Sequence, residues 1–274
     1  MAFRNARLGA LLPYIPTLQD AFEQEEFWNA RAELGDTEEQ LRPTPVIPPD
    51  PDYEAEEVAR ASASVTLPAA TPLWGVIEVR LDRPAHGNPF IDVELHAVFR
   101  RPDGSDVQLG GFYDGEGGYL VRVPADVEGF WTFGTTSTAR SLDGISGAVM
   151  VTEAREGSHG PVRVDGFHFR HADDSRHRPL GTTAYAWTHQ PDALQEQTLA
   201  TLAEGPFRKI RMCLFPKSYL LNASEPEDFV FPGSLTDRFD LERFDPAHFR
   251  RLERRIAGTG DVRPHRRHGC VPRR

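Results

Sequence analysis

The spacing of apolar positions changes period along the chain. From Leu18 to about Leu41, apolar residues recur at Leu18, Phe22, Phe27 (or Trp28) and Leu34 among many Glu. That spacing predicts a helix with one solvated acidic face. Arg42-Pro-Thr-Pro-Val-Ile-Pro-Pro-Asp-Pro-Asp52 follows, and its prolines predict an extended linker rather than a helix or central strand. From Leu73 the period becomes two. Leu73-Trp-Gly-Val-Ile-Glu-Val-Arg-Leu81 and Ile91-Asp-Val-Glu-Leu-His-Ala-Val-Phe99 alternate apolar and polar residues, as half-buried strands do. Shorter runs at Val107–Tyr113, Tyr119–Val123, Phe130–Thr136 and Ala148–Thr152 repeat the pattern. Turn signals separate them at Pro102-Asp-Gly104, Asp114-Gly-Glu-Gly-Gly118, Val127-Glu-Gly129 and Asp143-Gly144. Short strands punctuated roughly every 8–12 residues predict an all-β sandwich over 65–160. Its inner faces are expected to bury Trp74, Phe99, Phe112 and Trp131.

After Val164 the grammar changes again. Arg178-Pro-Leu-Gly-Thr-Thr-Ala184 reads as a short strand running into Tyr185-Ala-Trp187. Pro191 and Asp192 then open a helix over Ala193–Glu204, with Leu194, Thr198, Leu199 and Leu202 on one face. Phe207-Arg-Lys-Ile-Arg-Met-Cys-Leu-Phe215 is a second strand, ended by Pro216. Strand, helix, strand in this order predicts the βαβ unit of a parallel sheet. A long loop, Lys217–Phe244, precedes a last helix over Pro246–Ile256 that carries Phe249, Leu252 and Ile256 on one side. Residues 258–274 show no strand or helix period and little apolar surface to bury, so they read as an irregular Arg-rich tail.

Composition narrows the function classes. The 274 residues are 39% hydrophobic and 26% charged, which marks a globular chain. Their formal charge of −10 argues against a general affinity for nucleic acid or an anionic membrane. The charge is uneven: residues 1–60 hold 5 basic and 13 acidic side chains, residues 250–274 hold 9 basic and 2 acidic. No run of about 18 apolar residues occurs, which predicts no membrane-spanning helix. Pro13 and Pro16 break the opening apolar patch, which predicts no secretory signal. Cys213 and Cys270 are too few for a disulfide framework, so a cytoplasmic location is expected.

Candidate chemistry concentrates in Leu180–Tyr219. His168-x-x-His171 lacks the helical spacing and flanking carboxylate of a zinc protease, and no metal or other cofactor is expected. Gly115-Glu-Gly-Gly118 has no following helix, which predicts a hairpin turn and not a phosphate cradle. Arg263–Arg274 lacks the interleaved aromatics of a polyanion site. In parallel sheets ligands meet the chain beyond the C-terminal ends of strands. The first predicted strand delivers Tyr185, Trp187 and His189 there, and the second delivers Arg211, Lys217 and Tyr219. Aromatic faces beside hydrogen-bonding groups suit a sugar ring, with its apolar C–H faces and hydroxyl edges. Core packing accounts for the same aromatics, and both readings stay open. Arg211 inside an apolar strand calls for a partner, because a buried guanidinium needs one.

At these residues the chain resembles a known family. Gly181-Thr-Thr-Ala-Tyr-Ala-Trp-Thr-His-Gln190, Thr198-Leu199 and Pro206-Phe-Arg-Lys-Ile-Arg-Met-Cys-Leu-Phe-Pro-Lys217 are similar to the start of the apiosidase-like glycoside hydrolases. Leu73-Trp-Gly-Val-Ile-Glu78, Gly87-Asn-Pro-Phe90, Gly111-Phe-Tyr-Asp-Gly115, Gly129-Phe-Trp131 and His159-Gly-Pro-Val162 resemble strings of that family's amino-terminal sandwich. The resemblance spans about Leu73 to Ile256. It implies an immunoglobulin-like sandwich followed by a (β/α)8 barrel, here only its first two βα units over 161–257. It leaves residues 1–60, the acidic helix and linker, unassigned.

The resemblance implies hydrolysis of a poly- or oligosaccharide, with catalytic carboxylates after the fourth and seventh barrel strands. A barrel takes about 250 residues to close. The 99 residues from Arg176 to Arg274 are expected to supply two strands and no catalytic residue. Where the family continues into a third strand, this chain has Arg263-Pro-His-Arg-Arg267, which predicts a reading frame truncated or shifted near residue 258. The expected partner is carbohydrate. A rival expectation is a carbohydrate- or protein-binding sandwich module with a remnant barrel segment. An exposed aromatic row on one sandwich face would mark such a module.

Overall fold

The computed structural model describes residues 48–178, 180–207, 209–213, 224, 226–234 and 238–260. The chain divides into two compact units, 1–47 and 48–274, and the described residues belong to the second. The helix expected over Leu18–Leu41 lies outside them, as do Lys217, Tyr219 and residues 261–274.

Two sheets form the first part. One runs in the order β1 (Ser64–Thr66), β3 (Val76–Asp82), β7 (Gly118–Pro124), β6 (Phe112–Gly115). The other runs β2 (Ala70–Pro72), β9 (Ser146–Thr152), β8 (Gly129–Ser137), β4 (Leu95–Arg100), β5 (Asp106–Gly110). Alternation sets the core. Ile77, Val79 and Leu81 on β3 face inward and pair across to Val123, Val121 and Tyr119 on β7. The second sheet contributes Leu95, Ala97, Phe99, Trp131, Phe133, Val149 and Val151 to the same cluster. Ile77, Val79, Leu81 and Val121 are 0% exposed, and each such side chain contributes about 1.5–3 kcal/mol through its removal from water. The Trp131 indole N–H donates to the Val127 carbonyl at 2.8 Å, so the ring is buried without an orphaned donor. Burial pushes the Tyr119 phenol well above its ordinary pKa.

Three expectations are corrected here. The run Val107–Tyr113 is two strands in different sheets, broken at Gly111. That residue's N–H donates to the Leu95 carbonyl at 2.7 Å, and a Cβ on it would sit 2.5 Å from Leu95 Cδ2. Only glycine lets the backbone cross between the sheets so close to the core. The strand expected from Ile91 begins at Leu95, because Pro89–Asp92 forms one helical turn (α1), closed by Asn88 N–H donating to Asp92 Oδ2 at 2.7 Å. Phe112 faces outward, 43% exposed, beneath the Arg122 guanidinium at 5.2 Å, and Trp74 is only half-buried.

The segment before β1 packs onto the sandwich. Tyr53 and Ala63 join the core, and Tyr53 stacks on His86 at 4.2 Å. Glu54 accepts from the Ser141 N–H at 2.6 Å and hydroxyl at 2.7 Å, which satisfies a fully buried serine.

After the sandwich, β10 (Val162–Asp165) and β11 (His168–His171) form an isolated hairpin. Then β12 (Gly181–Thr183) and β13 (Lys209–Arg211) pair in parallel, Thr182 opposite Ile210, with α2 (Asp192–Glu204) between them. On α2, Thr198, Leu199 and Leu202 of the expected face are half-buried, but Leu194 is 45% exposed and Gln195 takes the buried place beside them. The last helix, α3 (Pro246–Gly260), extends beyond Ile256. It contacts the outer face of the first sheet: Glu253 meets Arg122, and Arg250 Nη1 donates to the Asp114 carbonyl at 2.7 Å.

Candidate functional site at the strand ends

Past β12 and β13 the two backbones keep their pairing for one more step. The Ala184 N–H donates to the Arg211 carbonyl at 2.8 Å, and the Cys213 N–H donates to the Tyr185 carbonyl at 2.9 Å. This places Tyr185 and Arg211 side by side, the guanidinium 5.2 Å from the ring centroid. Tyr185 is 38% exposed and Arg211 is also exposed, so the pair forms a cation–π surface with an aromatic face and several N–H donors. The partner that Arg211 was expected to need is this ring, and its solvent exposure reduces the desolvation cost.

Trp187 and His189 lie in the other direction. The chain makes a 3-10 turn over Trp187–His189, and both side chains are 3% exposed. The Trp187 indole N–H donates to the Gln195 carbonyl at 3.1 Å, and Gln195 Nε2 donates to the Gln190 carbonyl at 2.6 Å. The aromatic of the strand end is thereby locked to the first turn of α2. Lys217 and Tyr219 lie outside the described residues.

Behind that turn is a polar cluster that no motif in the sequence marks. His248 on α3 places Nδ1 2.7 Å from Asp228 Oδ1, and Arg251 reaches the same carboxylate at 3.3 Å. With His189, Gln195, Leu252 and Arg255 these residues line a cavity of about 10 Å³, on the scale of one water molecule and far below a sugar ring. The cluster joins helices. Arg255 and Arg251 hydrogen-bond Asp192 at 2.7 and 3.3 Å and hold its carboxyl below the ordinary range. Asp192 also lies in the first turn of α2, where the helix dipole favours negative charge. The sequence signal for this contact is weak, because Asp192 and Arg255 are 63 positions apart and only packing brings them together.

Among the described residues no group of three or more His, Cys, Asp or Glu is placed to hold a metal ion, and no helix is long and apolar enough to cross a membrane. His159, His171 and His177 do lie close together near the β10–β11 hairpin. The His171 and His177 rings sit 4.9 Å apart, and His159 Nδ1 is 2.6 Å from Asp173 Oδ2.

Residues 70–138 match a family described as a domain of unknown function, DUF5060. Among solved structures, the chain is similar to a candidate glycoside hydrolase from Bacteroides vulgatus ATCC 8482. The identity is 38%, the TM-score 0.67, and the alignment covers 71% of this chain and 40% of that one. The chain thus spans 40% of the length of the protein it matches. Alignments to the Lin-41 filamin domain (18% identity, 35% of this chain and 97% of that chain, TM-score 0.27) and to Bacteroides uniformis beta-glucuronidase 2 (15%, 58% and 21%, TM-score 0.21) are too loose to bear on the fold. No curated protein matches the chain.

Proposed function

We propose that this chain is the amino-terminal part of a glycoside-hydrolase-like protein acting on poly- or oligosaccharide. In this reading 65–160 is an immunoglobulin-like sandwich and 161–257 holds the first two βα units of a (β/α)8 barrel. The observation that carries it is the parallel β12–α2–β13 unit, in a chain 38% identical over 71% of its length to a candidate glycoside hydrolase. Tyr185 and Arg211 are the exposed sugar-contact pair at the strand ends, ring face to ring face with donors beside it. Trp187 and His189 position that loop from below.

Hydrolysis needs two carboxylates, about 5–5.5 Å apart for retention or 6.5–9.5 Å for inversion. Asp228 is tied to His248 and Arg251, and Asp192 to Arg251 and Arg255, so both serve the helix contact. In this reading the catalytic pair belongs to later barrel strands, and this chain alone is inactive. The deciding assay compares this chain with a version extended to the length of the Bacteroides vulgatus protein, on aryl-glycosides and plant polysaccharides. Activity in the extended protein alone is expected; turnover by the 274-residue chain overturns the reading.

The rival reading, a binding sandwich, calls for a row of exposed aromatics. Among the described residues the outer strand faces carry one exposed phenylalanine each, Phe112 on the first sheet and Phe130 on the second, while Phe99, Trp131 and Phe133 point inward. This favours a sandwich that buttresses the barrel over one that binds a polymer along an aromatic strand face.

A further inference from the structure

A pocket of about 370 Å³ lies away from the strand ends, between the turn that leads into β3 and the segment after β9. Thr71, Pro72, Trp74, Val76, Arg155 and Ser158 are among its walls. The volume falls in the range of small-molecule sites, roughly 300–1,000 Å³.

Its aromatic wall is held in an unusual way. Pro72–Gly75 is a tight turn, closed by the Gly75 N–H donating to the Pro72 carbonyl at 2.9 Å. Trp74 occupies the third position with φ +64°, where glycine is the ordinary occupant. The Leu73 and Trp74 amides donate to the Thr152 and Ala125 carbonyls at 2.8 and 2.7 Å, which ties the turn to both sheets. Gly160 passes so close to the indole that a Cβ there would lie 2.5 Å from Trp74 Cε2. The ring is therefore clamped and half-exposed, a rigid platform over-determined by its surroundings.

Thr71 is 3% exposed with its Oγ1 out of reach of solvent, so it backs the wall and offers no polar contact. One further observation points to a ligand. Arg155 is exposed on the same wall and makes no ion pair or side-chain hydrogen bond among the described residues. A Trp that merely braced the Gly160 segment would account for the ring contact but not for the hollow or for a guanidinium left unpaired among the described residues.

We propose that this pocket binds one sugar ring bearing a carboxylate, a uronic-acid unit. Its C–H face lies on the Trp74 indole, its hydroxyls meet Ser158, and its carboxylate takes the planar donor fork of Arg155. The site is built wholly from the sandwich and the segment following it. It does not depend on the strand-end site, and it would be occupied whether or not the chain belongs to a hydrolase.

The test is binding to the full chain, followed by ligand-observed NMR and tryptophan fluorescence, with methyl β-D-glucuronide and methyl β-D-glucoside as probes. The glucuronide is expected to bind about tenfold more tightly, the factor a charge-assisted contact supplies. Arg155→Gln should abolish that preference and leave the glucoside affinity unchanged. Ser158→Ala should weaken both probes several-fold without lowering the thermal midpoint, since the side chain is only half-buried. Trp74→Gly relieves the left-handed backbone and should remove binding of both probes; if it fails to fold, the other two variants decide. Equal affinity for the two glycosides overturns the proposal. So does a preference that survives Arg155→Gln, or N-acetylglycine binding as tightly as the glucuronide. None of these readouts uses hydrolysis, so the failure of this proposal and the failure of the hydrolase reading are separately visible.

Discussion

The sandwich and the parallel strand pair bury their side chains to different degrees. In the sandwich, both sheets turn one face inward, and four aliphatic residues of β3 and β7 reach 0% exposure. In the strand pair each strand is three residues long, α2 buries Gln195 alone, and Leu194 stands 45% exposed. The hairpin between the two regions is barer still, with Val164 at 73% and Phe167 fully exposed. The difference follows from architecture. Two antiparallel sheets cover each other's inner faces and form a core by themselves, whereas a parallel sheet is buried only when further βα units cover both of its faces. Among the described residues the first region covers its own core, and the second leaves more of its apolar side chains exposed. Polar pairs and stacked rings anchor the second: α3 is tied to the sandwich by Arg122–Glu253, by Arg250–Asp114 and by the ring contacts Phe90–Phe244–Phe249, and to α2 by Arg255–Asp192.

The largest effect expected from this contrast is at Trp131. Trp131→Ala should destabilise the sandwich by about 3–5 kcal/mol, read as a shift in the urea midpoint of its cooperative transition. Trp187→Ala, at an equally buried ring, should leave that transition in place and raise hydrogen exchange only in α2 and β12–β13. A single shared transition lost in both variants would erase the distinction between the regions.

Next in size is Gly111→Ala. Its methyl would collide with Leu95 Cδ2, and the cost should be about 1–3 kcal/mol by the same measurement. A smaller effect separates site from scaffold: Tyr185→Ala should change stability by less than about 0.5 kcal/mol, while weakening sugar binding at the strand ends. The last is a pH effect on the second region. Asp192 is held below its ordinary pKa by Arg255 and Arg251, so its stabilisation is complete above the unfolded carboxylate value near 3.9. It should be lost as pH falls through the lower folded value, and exchange in α2 should rise there before the sandwich opens.

Alternation alone placed Phe99 and Trp131 in the core, because a period of two leaves a half-buried strand only one way to face. It did not reveal the break at Gly111. The apolar positions on either side remain in phase, and the need for glycine arises from Leu95, sixteen positions away and across the fold. Nor did it show that Phe112 faces solvent, since moving from one sheet to the other resets which side is inward. At the strand ends the chain sequence indicated a cluster of aromatic and basic residues. That Tyr185 meets Arg211 while Trp187 turns toward Gln195 was set by the parallel pairing and the first turn of α2.

By itself the sequence determined a β-rich first part, a strand–helix–strand second part and the residue types available at the strand ends, because periodicity and turn chemistry are local properties. Which sheet each strand joined, which aromatics stayed exposed, and the meeting of Trp74, Thr71 and Arg155 around one pocket were decided only by tertiary packing. Each of those depends on distances between residues far apart in the chain, and no local pattern encodes them.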